Sequence, residues 1–237
     1  MRVAVLADIH GNLPALEAVL AEVEAAAPDL VVVCGDVASG PLPAETIELL
    51  RSLPEARFVR GNADRELVSA FDRRLSNDWC ATQISPDQRD FLASFAETLS
   101  IEVDGLGRVL FCHGSPRSDE EMMTSETPDE RLAELIGGVD AAVVVCGHTH
   151  MPFDRKAGAV RVINPGSVGM PYAEPGAHWA RLGPGLEMRR TDYDREGAAA
   201  RIRKSEWADA EEFARSNVLA APSAEDAFAY FRAHGGP

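Results

Sequence analysis

Five short apolar runs, widely spaced along the chain, each lead into side chains that can bind a metal ion. Apolar runs of this length are typical of buried strands, and the carboxyl ends of parallel strands meet at one edge of a sheet. We therefore expect an α/β fold in which the donors converge at that edge. The donors that follow the runs are Asp8, His10, Asp36, Asn62, Asp64, His113, His148 and His150.

The first sixty residues alternate between strand and helix patterns. Residues 3–7 and 30–34 are continuous apolar runs, as in parallel strands that are buried on both faces. Between them apolar residues recur at helical spacing after Asn12, a candidate N-cap. The pattern continues with a helix at 43–53 and a strand at 57–59, and right-handed crossovers would place the three strands side by side.

The rest of the chain up to the tail has shorter strand patterns. Residues 64–99 are predicted to be mainly helical, and residues 101–111 form a predicted hairpin that ends just before His113. Four short strand patterns, separated by Gly and Pro, follow the apolar run at 141–146. This order predicts two packed mixed β-sheets flanked by helices, an αββα sandwich.

Residues 194–237 form a predicted helical extension of a main domain that comprises residues 1–193. Ser223 and the acidic residues after it indicate the start of a helix in this extension. No catalytic motif occurs there. We expect the extension to pack on the core, with a contact in a homo-oligomer as the alternative.

The chain is strongly acidic. Its 237 residues include 38 acidic and 23 basic side chains, which give a formal net charge of −15. This charge argues against nonspecific binding of nucleic acid or of anionic lipid. A small anionic substrate is compatible with it, because bound divalent ions can reverse the charge of their immediate surroundings.

The sequence patterns favour a reduced cytoplasmic protein without a membrane span. The apolar start before Asp8 is too short for a signal peptide, and no later stretch reaches the length of a span. The four cysteines lack the spacing and density of a disulfide scaffold. Cys34, Cys112 and Cys146 precede proposed ligands; we interpret them as small buried apolar residues, with thiolate ligation as the alternative.

The donor set mixes carboxylate and amide oxygens with imidazole nitrogens. This mixture suits transition metals such as Mn, Fe, Zn, Ni or Co better than Ca or Mg. Two ions held close together need a bridging carboxylate and further donors. The sequence supplies enough donors for two divalent transition-metal ions.

The motifs occur in the order Asp8-Ile9-His10, Gly35-Asp36, Gly61-Asn62, His113-Gly114 and Gly147-His148-Thr149-His150. This order resembles the calcineurin-like metallophosphoesterase superfamily over about residues 1–190. The likeness extends to the small bacterial phosphodiesterase-like branch through Cys112-His113-Gly114-Ser115-Pro116-Arg117 and Asn164-Pro165-Gly166-Ser167. The resemblance implies one metal ion held by Asp8, His10, Asp36 and His150. It implies a second ion held by Asp36, Asn62, His113 and His148, with Asp36 shared.

The resemblance also implies hydrolysis of a small phosphoester. The paired ions would lower the pKa of a bridging water, and the resulting hydroxide would attack phosphorus in line. On this basis Asp36, Asn62 and His113 are the catalytic candidates. Glycines beside the donors allow tight turns and close approach of the backbone.

One position departs from the family's pattern. A histidine commonly follows the asparagine of the Gly-Asn motif and helps the leaving group, whereas this chain has Ala63. General acid catalysis is worth about 10² to 10⁴ in rate, so esters with poor leaving groups should react slowest. Asp64 would pair with that histidine; without it, Asp64 either orients Asn62 or a ligand histidine, or caps the following helix.

Further polar residues are candidates for contact with the substrate or for support of the ligands. The guanidinium of Arg117 suits phosphate oxygens, with a solvated loop arginine as the alternative. His178 and His234 match no ligand motif, and we expect them to be structural or to face solvent. The other candidates are Asn12, Arg60, Asn164 and Ser167, of which the last two are expected to support the ligand loops.

These features predict a metal-dependent phosphoric ester hydrolase, specifically a phosphodiesterase. The alternative activities are those of a phosphomonoesterase and of a nucleotide polyphosphate hydrolase, although no pattern indicates a pocket for stacking a base. A further alternative is a non-catalytic scaffold with the same fold. A scaffold would tolerate losses among the metal ligands, whereas all of them are present in this sequence.

Overall fold

Two five-stranded β-sheets lie face to face in the part of the chain that the structure describes. This computed structural model describes residues 1–74 and 78–234. The strands are β1 (Val3–Leu6), β2 (Leu30–Val33), β3 (Ala56–Phe58), β4 (Leu99–Val103), β5 (Gly107–Phe111), β6 (Val143–Val145), β7 (Phe153–Ala157), β8 (Val160–Asn164), β9 (Ala177–Leu182) and β10 (Leu186–Thr191).

The first sheet has the strand order β10-β9-β1-β2-β3, and the second has the order β4-β5-β6-β8-β7. In the first sheet β1, β2 and β3 are parallel, as the alternation of strand and helix patterns predicts. In the second sheet β5, β6 and β8 are parallel, while β4 and β7 run antiparallel at the edges. Both sheets therefore carry parallel strands whose carboxyl ends precede the predicted donors.

Helices cover the outer faces of the sheets, so the predicted αββα sandwich is confirmed. The helices are α1 (Leu13–Ala26), α2 (Pro43–Arg51), α3 (Asn62–Asp72), α4 (Trp79–Gln83), α5 (Pro86–Ala93), α6 (Asp129–Leu135), α7 (Arg195–Ile202), α8 (Ala210–Phe213) and α9 (Ala224–Ala233). Residues 75–77 of the segment predicted to be mainly helical lie outside the described residues. Ala214–Leu219 is a π-helical turn that continues from α8.

Local side chains account for several helix starts. The side-chain oxygen of Asn12 accepts a hydrogen bond from the Ala15 N–H, and Pro14 occupies the first turn of α1. Ser85 and Gln88 form a reciprocal capping box at α5. Each cap satisfies an N–H group that has no acceptor inside its own helix.

The core has layers on both sides of β1. Val3 and Val5 face the second sheet, where they pack with residues such as Phe111. Ala4 and Leu6 face α1 and α2 on the opposite side. Because all four residues of β1 are fully buried, the strand reads as a continuous apolar run rather than an alternating one.

The C-terminal helices pack on the rest of the chain. Phe213 and its neighbours contact Leu42 and Tyr193, and Phe231 contacts Met151. Packing on the core is therefore observed, while the domain boundary at residue 193 remains a proposal. Residues 235–237 of the predicted extension lie outside the described residues. Within the described ranges, no helix is both long enough and apolar enough to cross a membrane.

Candidate metal centre

Side chains that could hold a metal ion converge where the carboxyl ends of the two sheets meet. They form two groups, within each of which one donor atom per residue lies within 4.8 Å of the others. The first donor group is Asp8, His10 and His150, and the second donor group is Asp36, His113 and His148. Each group combines residues that follow strands of the first sheet with residues that follow strands of the second. This division agrees with the two sets implied by the motifs.

The two histidines of the first donor group present bare nitrogens to each other. Nδ1 of His10 lies 3.2 Å from the Ser39 carbonyl oxygen, and Nδ1 of His150 lies 2.9 Å from the Met170 carbonyl oxygen. Each Nδ1 therefore carries the proton that it donates, and each Nε2 is left as an acceptor. The two Nε2 atoms are 3.1 Å apart. Two lone pairs at this separation repel unless a cation lies against both, so the group fits a metal ion.

The second donor group is built around His113. Its Nδ1 lies 2.7 Å from the Cys34 carbonyl oxygen, which fixes the ring. Its Nε2 lies 3.4 Å from Asp36 Oδ2 and 3.1 Å from Asn62 Oδ1. Asn62 is the first residue of α3, and its position adds an amide oxygen to this group. The nitrogen and oxygen donors together match a transition-metal site.

The Asp36 carboxylate lies between the two groups. Its Oδ2 is 3.7 Å from His10 Nε2 as well as 3.4 Å from His113 Nε2. Its Oδ1 accepts a hydrogen bond from the Ala63 N–H at 2.9 Å, which orients the carboxylate. One oxygen of Asp36 is thus within reach of histidines from both groups.

Burial and the neighbouring charges shift the protonation of these side chains. Burial by itself would raise the pKa of Asp36, but His113 and His10 outweigh it and hold that pKa below the usual carboxyl range. Burial opposes protonation of His113, but the Asp36 charge prevails and raises the pKa of His113 to about 10. Burial and His113 lower the pKa of His148 to about 4. Burial and His150 also lower the pKa of His10. Near neutral pH His10 and His148 are therefore already in the neutral form that binds a metal, whereas His113 keeps a proton that metal binding would displace.

The backbone at most of the ligands is left-handed. Positive φ angles between 47° and 68° occur at Asp8, His10, Asp36, His148 and His150. This conformation is uncommon for residues with a side chain, although Asp and His are enriched among the exceptions. Long-range bonds hold it in place, among them that from the His10 N–H to the Asp36 carbonyl oxygen at 2.9 Å. No local sequence pattern marks these φ angles.

Two glycines allow the loops to approach closely. A Cβ on Gly61 would lie 2.1 Å from Asp36 Oδ1, and a Cβ on Gly35 would lie 2.6 Å from His113 Nδ1. Gly35 also has a φ of +87°. Larger residues at these two positions would displace the side chains that form the second donor group.

Asp64 supports the backbone of the ligand loops. It is 1% exposed, and its carboxylate accepts N–H bonds from Asp36, Val37 and Gly61, each at 2.9 Å. Burial and the Asp36 charge raise the pKa of Asp64 to about 7, while the N–H donors oppose that rise. Of the predicted alternatives, Asp64 caps α3; its described bonds go to these backbone groups rather than to Asn62 or a ligand histidine.

The candidates Asn12, Asn164 and Ser167 are buried, and their side chains bond to other parts of the protein. Asn12 caps α1 and donates to the Gly169 carbonyl oxygen at 3.0 Å. Asn164 donates to the Gly147 carbonyl oxygen at 2.7 Å, and Ser167 donates to the Asp8 carbonyl oxygen at 2.6 Å. These bonds are of the supporting kind expected for Asn164 and Ser167, and contact of Asn12 with the substrate stays a prediction.

Arg117 is held by carboxylates. Its guanidinium contacts Glu121 at 2.8 Å and Glu134 at 3.4 Å. The structure therefore does not present it as a free phosphate-binding fork. Sequence reasoning also missed Tyr172, whose ring stacks on His150 with 5.5 Å between centroids. No motif at Tyr172 signals this contact, because it depends on the fold of a distant loop.

The cysteines and the remaining histidines lie outside both donor groups. Cys34, Cys112 and Cys146 are fully buried, and burial raises the pKa of each thiol. Burial therefore favours the protonated thiols, and they pack as small apolar residues in the cores. His178 is buried near the Glu174 carbonyl oxygen, and His234 stacks on an exposed tyrosine.

Comparisons with known proteins agree with this geometry. A family model described as the calcineurin-like phosphoesterase superfamily domain matches residues 1–183. Phosphodiesterase YfcE of Escherichia coli K12 is 28% identical over 192 residues, which are 77% of this chain and 87% of YfcE.

Two solved structures share the fold over nearly the whole chain. A metallophosphoesterase from Sphaerobacter thermophilus has a TM-score of 0.77 at 26% identity, over 93% of this chain and 98% of that one. Hypothetical protein PH1004 from Pyrococcus horikoshii OT3 has a TM-score of 0.78 at 20% identity, over 90% of this chain and 97% of its own. Matches of this extent continue beyond residue 193 into the C-terminal helices.

Proposed function

This chain belongs to the calcineurin-like phosphoesterase superfamily, and we propose that within it the protein is a two-metal phosphodiesterase of small substrates. Membership makes it a phosphoric ester hydrolase. The relative named phosphodiesterase YfcE supports diesters as the substrate class. The four free cysteines are compatible with a reduced cytoplasmic location, which we include in the proposal.

The position of Asp36 is the observation that carries the two-metal proposal. One of its oxygens lies within 4 Å of His113 and of His10, which belong to different donor groups. We assign one divalent transition-metal ion, Mn, Fe, Zn, Ni or Co, to each group. The first ion would be held by Asp8, His10, Asp36 and His150, and the second by Asp36, Asn62, His113 and His148.

The ions, when bound, supply positive charge that activates water as a nucleophile and neutralises the phosphoryl oxygens. The protein's own groups fix this arrangement. The Cys34 carbonyl oxygen holds the ring of His113, and the Ala63 N–H orients Asp36. Ala63 itself has no proton to give to a leaving group. Esters with good leaving groups, such as aryl diesters, should therefore react faster than alkyl monoesters.

A substrate panel with reconstituted metal tests this proposal. The protein is stripped of metal, reloaded with Mn, Ni, Co, Zn or Fe, and assayed on cyclic nucleotides, linear diesters, dinucleoside polyphosphates and phosphomonoesters. Linear or cyclic diesters should give the highest kcat/KM. Asp36→Asn should lower activity by at least about 10²-fold, because both ions lose a shared ligand. Asp140→Asn is the matched control, since Asp140 is 94% exposed on the surface.

The panel also separates the alternative functions. Highest turnover of phosphomonoesters or of dinucleoside polyphosphates would replace the diester proposal. Protein that binds no metal and turns over no substrate would point to a scaffold. Activity that survives Asp36→Asn would contradict the two-metal arrangement.

A further inference from the structure

A polar cleft of about 290 Å³ opens beside the second donor group. His113 forms part of its wall, and its charged lining residues include Arg60, Glu97, Arg117 and Asp119. Sites that enclose a whole small-molecule ligand usually measure about 300–1,000 Å³. The polar cleft is therefore the right size for one arm of a substrate whose phosphorus lies at the metal centre.

Arg60 is incompletely satisfied in this cleft. Its Nη2 pairs with Glu97 at 3.0 Å, and 79% of the Glu97 side chain is exposed. Its Nε is buried and has no hydrogen-bond partner among the described residues. Buried polar atoms in folded proteins nearly always have a partner, so the Arg60 guanidinium has an unused capacity to donate a hydrogen bond.

The other charged residues of the polar cleft are already paired. Arg117 contacts Glu121 through Nε and Nη2, at 2.8 to 3.0 Å. Asp119 accepts from Arg65 Nε at 2.8 Å. Of the two arginines in the cleft, Arg60 is thus the one with an unused buried donor.

We propose that Arg60 binds a second oxyanion carried on one arm of the substrate, a proposal that rests on the phosphodiesterase function proposed above. The substrate class is then a phosphodiester whose arm bears a phosphate or a carboxylate. Both groups match the planar fork of a guanidinium. Glu97 is a weak competitor, because exposed ion pairs contribute little and exchange readily with solvent. The substrate oxyanion would take its place on Nη2, and a rotation of the Arg60 side chain toward the cleft would let it accept from Nε as well.

Two pairs of chromogenic diesters test the proposal on the metal-loaded protein. The first pair is thymidine 5′-(4-nitrophenyl phosphate) with and without a 3′-phosphate. The second is 4-nitrophenyl phenyl phosphate with and without a carboxylate on the phenyl ring. The measured quantity is the ratio of kcat/KM within each pair, which cancels effects on the metal centre. The wild-type ratio should favour the extra oxyanion in at least one pair, and that pair identifies the oxyanion.

Three variants give different expected ratios. Arg60→Gln should lower the preference for the extra oxyanion about tenfold, as expected for loss of a charge-assisted hydrogen-bond pair. Glu97→Gln should raise it about two- to fivefold, because it removes the competing carboxylate. Arg117→Gln is the matched control in the same cleft and should leave the ratio near that of the wild type.

The outcomes distinguish this inference from the proposed function. No hydrolysis of any diester would contradict the phosphodiesterase proposal itself. Hydrolysis without a preference in either pair would overturn the role of Arg60 alone. A preference that survives Arg60→Gln, or that falls equally with Arg117→Gln, would also overturn it. If Arg60→Gln proves unstable, Arg60→Lys keeps the charge but loses the planar fork; it should also lower the preference, and an unchanged preference would overturn the role of Arg60.

Discussion

At the scale of a single side chain, Asp64 links two loops. One presents Asp36 and the other presents Asn62. Its buried carboxylate accepts N–H bonds from both loops. In Asp64→Asn an amide group would face one of these donors, and each unsatisfied buried N–H costs about 1–3 kcal/mol. We expect the free energy of unfolding to fall by about 2 kcal/mol or more, measured by urea denaturation of the metal-free protein.

The same variant should weaken metal binding at the second donor group. Replacing residues that support metal ligands typically costs about 10- to 100-fold in affinity, which isothermal titration with Mn or Zn would measure. Asp87→Asn is the matched control, because Asp87 lies in the first turn of the neighbouring helix α5 and is exposed. Equal effects of the two substitutions would refute the supporting role of Asp64.

Ala63 allows a test of leaving-group chemistry at one residue. Ala63 is partly exposed next to the second donor group, and its N–H is bonded to Asp36. Ala63→His would introduce a side chain that can protonate a leaving group. Turnover of alkyl monoesters should rise by about 10-fold or more, below the full range of general acid catalysis. Aryl diesters should change little. Steady-state kinetics with alkyl monoesters and with aryl diesters measures this difference. An equal gain on the two ester classes would contradict this account of the missing histidine.

At the scale of secondary-structure elements, helix α9 is connected to the candidate metal centre by a series of aromatic contacts. Phe231 packs edge-on against Tyr172 with 5.9 Å between centroids, and Tyr172 stacks on the ligand His150. Phe231 is 3% exposed, in a cluster with Met151, the residue after His150. A helix without a catalytic motif is therefore linked by aromatic contacts to one of the proposed ligands.

Phe231→Ala should weaken both α9 and the first donor group. Loss of a buried phenylalanine costs about 3–5 kcal/mol, and we expect Mn affinity to fall about tenfold, the lower end for residues that support metal ligands. Tyr230→Ala is the control on the same helix, because Tyr230 is 52% exposed. Denaturant unfolding and metal titration give the two readouts. Phe231→Ala could lower the stability and leave the metal affinity unchanged. That result would show that helix α9 does not support His150.

At the scale of the whole molecule, bound metal should stabilise the packing of the two sheets against each other. The first donor group joins residues after β1 to His150 after β6, and the second joins Asp36 after β2 to His113 after β5. At a free metal concentration of about 100 times the Kd, one ion that binds only the folded state adds about 2.7 kcal/mol. For a chain of this size that is about 5–10 °C in Tm for each ion.

Chelation should therefore lower the Tm of the metal-loaded protein by at least that amount, and added Mn should restore it. Differential scanning calorimetry with and without EDTA provides the measurement. In Asp36→Asn the shift should be smaller, because both groups lose a shared ligand. A Tm that does not respond to EDTA would contradict metal binding between the sheets.

The local patterns of the sequence were sufficient to predict much of the fold and the donor residues of the candidate site. Apolar runs followed by donors identified the parallel strands, and the hairpin before His113 follows the predicted change of period. The order of motifs indicated the ligands and the departure at Ala63. Periodicity and motif spacing depend on residues close together in sequence, so these features could be recognised without a structure.

Other features were decided only by the tertiary structure, because they depend on contacts between distant segments. The place of Asp36 between the two donor groups requires loops from both sheets to meet. The contrast between Arg60 and Arg117 depends on which carboxylates fold against each guanidinium. Likewise, His150 is braced by residues of a loop and of a terminal helix far along the chain. The sequence by itself determined which donors the site has; the packing of the two sheets decided how they are oriented, supported and charged.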